Sequence, residues 1–191
     1  MPTEVRDAVD GDRAAIAAML TRAFDYDPVF AWMIPDPAVR ARRLPALFDI
    51  FFTGDGPPGM RLTTVGCQAA TLWRAPGAAA GDNLGLWHAW RLLGTGLLRG
   101  KRVGEAIEAH FPREPFWYLH IAGCDPAAQG RGLGRAVVQA GLDRTGGLPV
   151  YLETAKERNL PFYLGLGFRV TDEWSVPGGG PRFWSMIRPQ H

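Results

Sequence analysis

The strongest constraint on the fold is a nearly continuous apolar segment, residues 116–124, that runs directly into a glycine-rich turn. An uninterrupted apolar run of this length is typical of a strand covered on both faces. The turn is followed by a helical pattern over 133–145, a short strand at 150–153 and a short helix at 159–166. Because strand and helix alternate, this half of the chain predicts a parallel βαβ crossover in a mixed α/β domain.

The other elements are predicted from hydrophobic periodicity and turn residues. Asp10 is expected to cap a first helix that ends near Phe24. Asp36 is expected to cap a second helix, in which Pro45 predicts a kink or a break. Further strands are predicted at 4–9, 62–68, 69–74, 168–174 and 183–188, with the last two antiparallel, and further helices at 84–93 and 103–110.

Length and composition indicate a single globular domain over 1–191, with an N-terminal part (1–111) and a C-terminal core (112–191). The 191 residues carry a formal charge of +2 and are 47% hydrophobic, which argues against a disordered chain.

No apolar run approaches the roughly 20 residues needed to cross a bilayer, and the N-terminus lacks the basic and apolar segments of a secretory signal. Cys67 and Cys124 are too few for a disulfide framework or a metal site. We therefore expect a cytoplasmic protein with no metal and with neither nucleic acid nor membrane as a partner.

The glycine-rich turn reads Gln129-Gly130-Arg131-Gly132-Leu133-Gly134. Glycines allow the backbone to approach a ligand closely. The start of the following helix adds unpaired N–H donors and the positive end of the helix dipole. Together these features predict a cradle for a diphosphate, and a plain strand-to-helix turn is the alternative interpretation. The spacing is neither that of a Rossmann fingerprint nor that of a P-loop.

This run resembles the Gln/Arg-x-x-Gly-x-Gly/Ala signature of the GNAT superfamily of acyl-CoA-dependent N-acetyltransferases. The resemblance continues through Leu152-Glu153-Thr154 and through residues 159–168. Over 112–188 the sequence is most similar to puromycin N-acetyltransferase and its actinobacterial relatives. The resemblance implies the GNAT fold, a central mixed sheet splayed between its fourth and fifth strands and flanked by helices, with acetyl-CoA as cosubstrate.

The resemblance also implies how acetyl-CoA is held. In the superfamily a bulge in the fourth strand opens the sheet, and Gly123 predicts that bulge here, with close packing as the alternative role of a strand glycine. The pantetheine arm would pair with the backbone of Ala122 and Cys124. The Cys124 side chain is interpreted as a packing residue rather than a nucleophile, since buried free cysteine behaves as a small hydrophobe. The residues expected to contact the cofactor are Ala122, Gly123, Cys124, Gln129, Gly130, Arg131, Gly132, Leu133, Gly134, Arg135 and Asn159.

Direct transfer to an amine requires a proton acceptor and a donor to the departing thiol. An alkyl amine has a pKa of about 10, so only about a thousandth of it is uncharged at neutral pH. The resemblance implies that Tyr163 protonates the coenzyme A sulfur, and Asn159 is expected to cap the helix that carries it. His120 in the central strand and Glu153 at the end of the next are the candidate bases. For both, a structural hydrogen bond is the alternative role, and the sequence does not choose between them.

The acceptor pocket of the superfamily lies around the first two helices. The connection between them contains Asp25, Tyr26, Asp27, Phe30 and Trp32. Carboxylates beside aromatic rings suit a cationic, partly apolar amine. The sequence therefore predicts an N-acetyltransferase that acts on a small-molecule amine, such as an antibiotic or an amine metabolite, with a homodimer left open. A noncatalytic acyl-CoA sensor and an acyltransferase with a longer acyl donor are the alternatives.

Overall fold

The computed structural model describes residues 3–78 and 94–189. The strands in these ranges form one sheet in the order first-second-third-fourth-fifth-seventh-sixth. The fourth and fifth strands run parallel, and the other neighbouring pairs are antiparallel. The predicted parallel crossover and the antiparallel final pair are confirmed. The strands are β1 (Val5–Asp7), β2 (Met60–Thr64), β3 (Ala69–Arg74), β4 (Trp117–Cys124), β5 (Val150–Thr154), β6 (Arg169–Ser175) and β7 (Arg182–Arg188).

Helices cover both faces of the sheet. The helix predicted at 84–93 lies outside the described residues, and the helix predicted at 103–110 begins earlier, at Leu97. Between residues 3 and 78 and between 94 and 189, no helix combines the length and the apolar character that crossing a membrane requires. The α-helices of these ranges are α1 (Arg13–Ala23), α2 (Pro28–Met33), α3 (Pro37–Gly54), α4 (Leu97–Ala109), α5 (Leu133–Leu142) and α6 (Leu160–Leu164).

The central strands of the sheet are buried between two helical layers, whereas the edge strand β6 is mostly exposed. Leu72 of β3 packs with Phe48 of α3 in one buried cluster. Its neighbour Trp73 packs with Val138 of α5 in another. Adjacent residues of a strand point to opposite faces, so Leu72 and Trp73 contribute to different layers. Burial of both faces explains why residues 116–124 are apolar without alternation.

Two of the N-terminal helices begin at an Asp-Pro pair. Asp27 Oδ1 accepts a hydrogen bond from the Val29 N–H at 3.0 Å. Asp36 Oδ1 accepts one from the Val39 N–H at 2.9 Å, as its predicted capping role requires. The prediction that Asp10 caps α1 is wrong. Asp10 lies in a 3-10 turn before that helix and makes no capping bond, and its carboxylate lies 3.5 Å from the Arg61 guanidinium.

Of the two alternatives predicted at Pro45, a kink or a break, the break does not occur, because α3 is one helix from Pro37 to Gly54. A proline removes the hydrogen bond to the carbonyl four residues earlier. That carbonyl belongs to Ala41, which is exposed, so water can satisfy it. Leu44 and Phe48 are fully buried on the inner face of the helix. Their packing against the sheet outweighs the loss of one backbone hydrogen bond.

The bulge of the fourth strand lies at His120. Trp73 pairs with Leu119, whereas its neighbour Leu72 pairs with Ile121. One extra residue of β4, His120, therefore lies between the partners of two consecutive residues of β3, which is the arrangement of a β-bulge. The bulge turns Leu119 and Ile121 toward opposite faces of the sheet, and they belong to different buried clusters.

Gly123, for which the sequence predicts the bulge, has a different role. It is in register with Ala70 of β3, so it is not an inserted residue. A Cβ built on Gly123 would lie only 2.4 Å from Leu20 Cδ2 of α1. The glycine allows α1 to pack closely on β4, which was the alternative explanation of a glycine in this strand.

Candidate active site

The sheet opens between β4 and β5. These strands pair with each other only at Trp117–Val150 and at Tyr118–Tyr151. On its other side β4 stays paired with β3 as far as Cys124. The edge of residues 119–124 that faces away from β3 is therefore not used by β5. An extended ligand can add to such an edge as a further strand.

A cleft of about 1220 Å³ lies along this opening. Its wall includes the glycine-rich turn and residues of the first four helices. The predicted catalytic residues and the predicted cofactor contacts all line the cleft, apart from Arg131, which is exposed. The structure thus brings together, around one cavity, residues that are distributed from position 120 to position 163 of the chain.

The glycine-rich turn forms a ledge of backbone at one part of the cleft. Gly130 and Gly132 have φ angles of +78° and +79°, which glycine adopts without strain. A Cβ on either residue would meet no protein atom within 4 Å, so the space above the ledge is open. The first hydrogen bond of α5 joins the Ala136 N–H to the Gly132 carbonyl at 3.0 Å. The N–H groups of residues 133–135 precede it and have no carbonyl within the helix, as a diphosphate site requires.

Side chains hold this ledge in place. Gln129 Nε2 donates to the Cys124 carbonyl at 3.5 Å. Asp125 accepts a hydrogen bond from the Ala127 N–H at 3.0 Å and lies 2.5 Å from the Arg22 guanidinium of α1. The turn is therefore fixed both to β4 and to the N-terminal half of the chain, so its amides are oriented before any ligand arrives.

Cys124 has the environment of a packing residue. Its side chain packs beside the small buried cluster of Ala128 and Val137. Burial raises the pKa of its thiol, and the nearby Asp125 carboxylate adds to the effect. A raised pKa lowers the thiolate fraction, which is the reactive form of cysteine. These features support the interpretation that Cys124 is not a nucleophile.

Glu153 of β5 is a buried carboxylate with one oxygen unused. Its Oε1 accepts a hydrogen bond from the Tyr118 hydroxyl of β4. Its Oε2 is buried without a hydrogen-bond partner. Burial raises the pKa of Glu153 from 4.5 to about 7, although Tyr118, His120 and Arg74 act in the opposite direction. A carboxylate that titrates near neutral pH is suited to general base catalysis.

His120 is held by a second buried carboxylate. Its Nδ1 lies 2.5 Å from Oδ2 of Asp55, and Arg74 donates to Oδ1 of the same carboxylate at 2.7 Å. Burial by itself would raise the pKa of Asp55, but His120 and Arg74 outweigh it and hold the pKa below its usual value. Asp55 is therefore ionised and accepts the Nδ1 proton of His120, so in the neutral imidazole the lone pair is on Nε2. The Phe51 ring packs edge-on against the imidazole at 4.8 Å.

Sequence reasoning does not identify Asp55 as a site residue. It directly follows α3 within the run Gly54-Asp55-Gly56, which has the composition of an ordinary turn. Its contact with His120 joins positions 65 residues apart. A single sequence carries no signal for such a pair, and only the packing of α3 against β4 creates it.

Tyr163 lies in α6 and is almost fully buried between Phe162 and Phe168. Burial raises the pKa of its phenol, and the carboxylates of Glu153 and Asp27 raise it further. Asn159 occupies the predicted N-cap position of this helix, but the predicted capping hydrogen bond is not formed. The Asn159 side chain instead donates to Thr154 Oγ1 at 3.2 Å. Both Asn159 and Tyr163 nevertheless line the cleft.

The predicted acceptor residues fall into two groups. Asp27 and Phe30 line the cleft, whereas Asp25, Tyr26 and Trp32 are not part of its wall. Tyr26 is 85% exposed. The backbone carbonyl of Asp25 accepts from Arg40, and that of Trp32 accepts from Arg99. Tyr26 and Trp32 therefore do not supply the aromatic rings that the sequence predicts beside carboxylates in the acceptor pocket.

Asp27 is buried and paired. Its Oδ2 lies 3.3 Å from Lys156 Nζ, on the loop after β5. Burial raises the pKa of Asp27, and the Lys156 charge opposes that shift. Within the described parts of the chain, no group of three or more His, Cys, Asp or Glu side chains could hold a metal ion.

No protein-family model matches the chain. A mycothiol acetyltransferase of a Nocardioides species is 40% identical over 60 residues, which are 29% of this chain and 20% of that protein. The N-alpha-acetyltransferase RimI of Mycobacterium tuberculosis is 45% identical over 74 residues, which are 37% of this chain and 47% of that protein. The matched parts thus span from a fifth to about half of the length of these relatives.

Solved structures are similar over the whole chain. A Corynebacterium glutamicum structure, described as histone acetyltransferase HPA2 and related acetyltransferase, has a TM-score of 0.79 and 25% identity and covers 100% of this chain and 98% of its own. The NatC complex bound to Gag peptide and CoA has a TM-score of 0.55 and 11% identity, with 100% of both chains covered. These likenesses show that the fold is that of the GNAT acetyltransferases. The closer similarity to puromycin N-acetyltransferase stays a prediction.

Proposed function

We propose that this chain, which has the GNAT fold, transfers an acetyl group from acetyl-CoA to the primary amine of a small molecule. One observation carries the proposal: the open edge of β4, the glycine-rich start of α5 and the carboxylate of Glu153 line a single cleft. Direct acetyl transfer needs a bound thioester, a positioned amine and a proton acceptor. The names of the relatives and structural neighbours, which are acetyltransferases, support the same activity.

The residues present fit coenzyme A. The N–H groups at the start of α5, which have no carbonyl partner within the helix, suit a diphosphate. Arg135 and Arg158 add positive charge to the same cleft. The unpaired edge of residues 119–124 suits the amides of a pantetheine arm. When bound, acetyl-CoA supplies the activated acyl group, and the chain supplies position and proton transfer.

Glu153 is the proton acceptor in this proposal. Its pKa of about 7 leaves a large fraction of the carboxylate ionised at neutral pH, and its Oε2 has no competing hydrogen bond. The amine nitrogen attacks the thioester carbon, its proton passes to Glu153, and the carbon–sulfur bond breaks. The apolar surroundings also favour the neutral form of the amine, since desolvation lowers the pKa of an ammonium group.

His120 is the alternative acceptor. In the neutral imidazole Nε2 is the nitrogen that can accept a proton, because Nδ1 donates to Asp55. The two candidates lie on different strands, β4 and β5, on either side of the opening. Comparing the pH profiles of Glu153→Gln and His120→Gln separates them, because only loss of the true base removes the acidic limb of kcat/KM.

In the same proposal, Tyr163 is the hydrogen-bond donor to the sulfur of coenzyme A. Because the pKa of its phenol is raised above the ordinary value, whereas a thiol has a pKa of about 8.5, complete proton transfer to the thiolate is unfavourable. Tyr163 therefore acts by donating a hydrogen bond that stabilises the negative charge on the departing sulfur. Tyr118, whose hydroxyl is committed to Glu153, is less suited to this role.

Thiol release from acetyl-CoA across a panel of amines tests the activity. Release that depends on an amine supports the proposal. Tight binding of acetyl-CoA without release from any amine would instead indicate the sensor, and release only from longer acyl-CoA thioesters would indicate a different donor.

A further inference from the structure

The part of the cleft formed by α2, α3 and α4 has an apolar wall. Phe30 and Met33 of α2, Leu47 and Phe51 of α3 and Ile107 of α4 all line it. The Phe30 ring packs against the Phe48 and Phe24 rings at centroid distances of 5.4 and 5.6 Å. This wall adjoins His120, since Phe51 contacts the imidazole ring. A ligand that reaches His120 from this side is therefore in contact with apolar side chains.

The charged side chains around this part are already committed or exposed. Asp27 is paired with Lys156, and their side chains are only 9% and 13% exposed. Lys101 and Glu108 of α4 also reach the cleft, but both are exposed to solvent, where salt and water weaken their interactions. Among the described residues of the cleft wall, Glu153 is the buried carboxylate with a free oxygen, and the reacting amine uses it.

A second positive charge on the acceptor would therefore find no buried partner among the cleft-wall residues that the structure describes. Burial of an ammonium group without a partner is strongly unfavourable, whereas an apolar body gains from the same surface. We propose, on the basis of the acetyltransferase function above, that the acceptor is a monoamine whose primary amine is carried on an apolar aliphatic or aromatic body. Polyamines and charged peptides are then poor acceptors.

A matched pair of substrates tests the inference. Hexylamine and 1,6-diaminohexane have the same length and differ by the second amine alone. We expect kcat/KM for hexylamine, measured by thiol release from acetyl-CoA, to be at least tenfold higher after correction for the two reactive ends of the diamine. An equal or higher value for the diamine overturns the inference.

A variant of the apolar wall gives a second readout. Ile107→Ser should lower kcat/KM for hexylamine about tenfold while acetyl-CoA binding, measured by calorimetry, stays unchanged. Val170→Ser serves as the control, because Val170 is exposed on β6 and is not part of the cleft wall. Equal effects of the two substitutions on kcat/KM would contradict the assignment of the wall.

Failure of the catalytic proposal can be distinguished from failure of this one. If no amine releases thiol, the proposed activity is wrong, and binding of both amines to the coenzyme A complex is then compared by calorimetry. Tighter binding of hexylamine keeps the assignment of the pocket. Equal or tighter binding of 1,6-diaminohexane rejects it.

Discussion

The buried carboxylate of Glu153 links stability and catalysis through one pKa. Burial raises that pKa from 4.5 to about 7. A carboxyl group whose pKa is higher in the folded than in the unfolded state makes its full contribution to stability at pH values below its ordinary pKa. This contribution disappears as the pH rises through the folded-state pKa of about 7. Because a pKa difference of one corresponds to about 1.4 kcal/mol, the free energy of unfolding contributed by Glu153 should fall by roughly 2.5 kcal/mol between pH 5 and pH 8.

Glu153→Gln removes this titration and keeps an oxygen that can accept from the Tyr118 hydroxyl. The free energy of unfolding of the variant, relative to the wild type, should therefore rise by roughly 2.5 kcal/mol from pH 5 to pH 8. Urea denaturation at each pH measures it. In thiol-release assays the pH profile of kcat/KM of the same variant should lose its acidic limb near pH 7. At pH 8 its kcat/KM should be lower on the order of a hundredfold.

Glu157→Gln is the matched control, since Glu157 is exposed on the loop that follows β5. It should alter neither the pH dependence of stability nor the acidic limb. An acidic limb that persists in Glu153→Gln would exclude Glu153 as the base. A stability difference that does not change with pH would show that burial does not raise its pKa.

Further predictions concern the cofactor ledge, the buried ion pair and the phenol. Gly132→Val should raise the Kd for acetyl-CoA at least tenfold in calorimetry, whereas Gly146→Val, which has a comparable φ of +62° and lies outside the cleft wall, should not. Asp55→Asn should lower the free energy of unfolding at pH 7 by roughly 3 kcal/mol in urea denaturation, because it removes the buried negative charge that faces Arg74 and His120; a loss close to zero would contradict the ion pair. Tyr163→Phe should lower kcat on the order of a hundredfold with acetyl-CoA affinity near normal, and unchanged turnover would reject its role.

Local patterns in the sequence predicted the elements that local physics decides. The apolar run at 116–124 and the helical pattern after it predicted the parallel crossover, because burial on both faces leaves a continuous apolar signature. Asp36 before a proline marked the start of α3, because both residues act within one helical turn. Gly130 and Gly132 indicated a ledge of backbone amides, because they too act within a single turn. In each case the residues that determine the structure lie within a few positions of one another.

Residues distant in sequence decided the rest. The bulge at His120 depends on its register against β3, and the role of Gly123 depends on the approach of Leu20 from α1. Asp55 becomes the partner of His120, and Asp27 the partner of Lys156, only when the chain is folded. Hydrogen bonding and desolvation act over a few ångströms in space. The sequence therefore shows which groups can ionise. The packing of helices on the sheet decides which of these groups pair with each other and which one stays available to accept a proton.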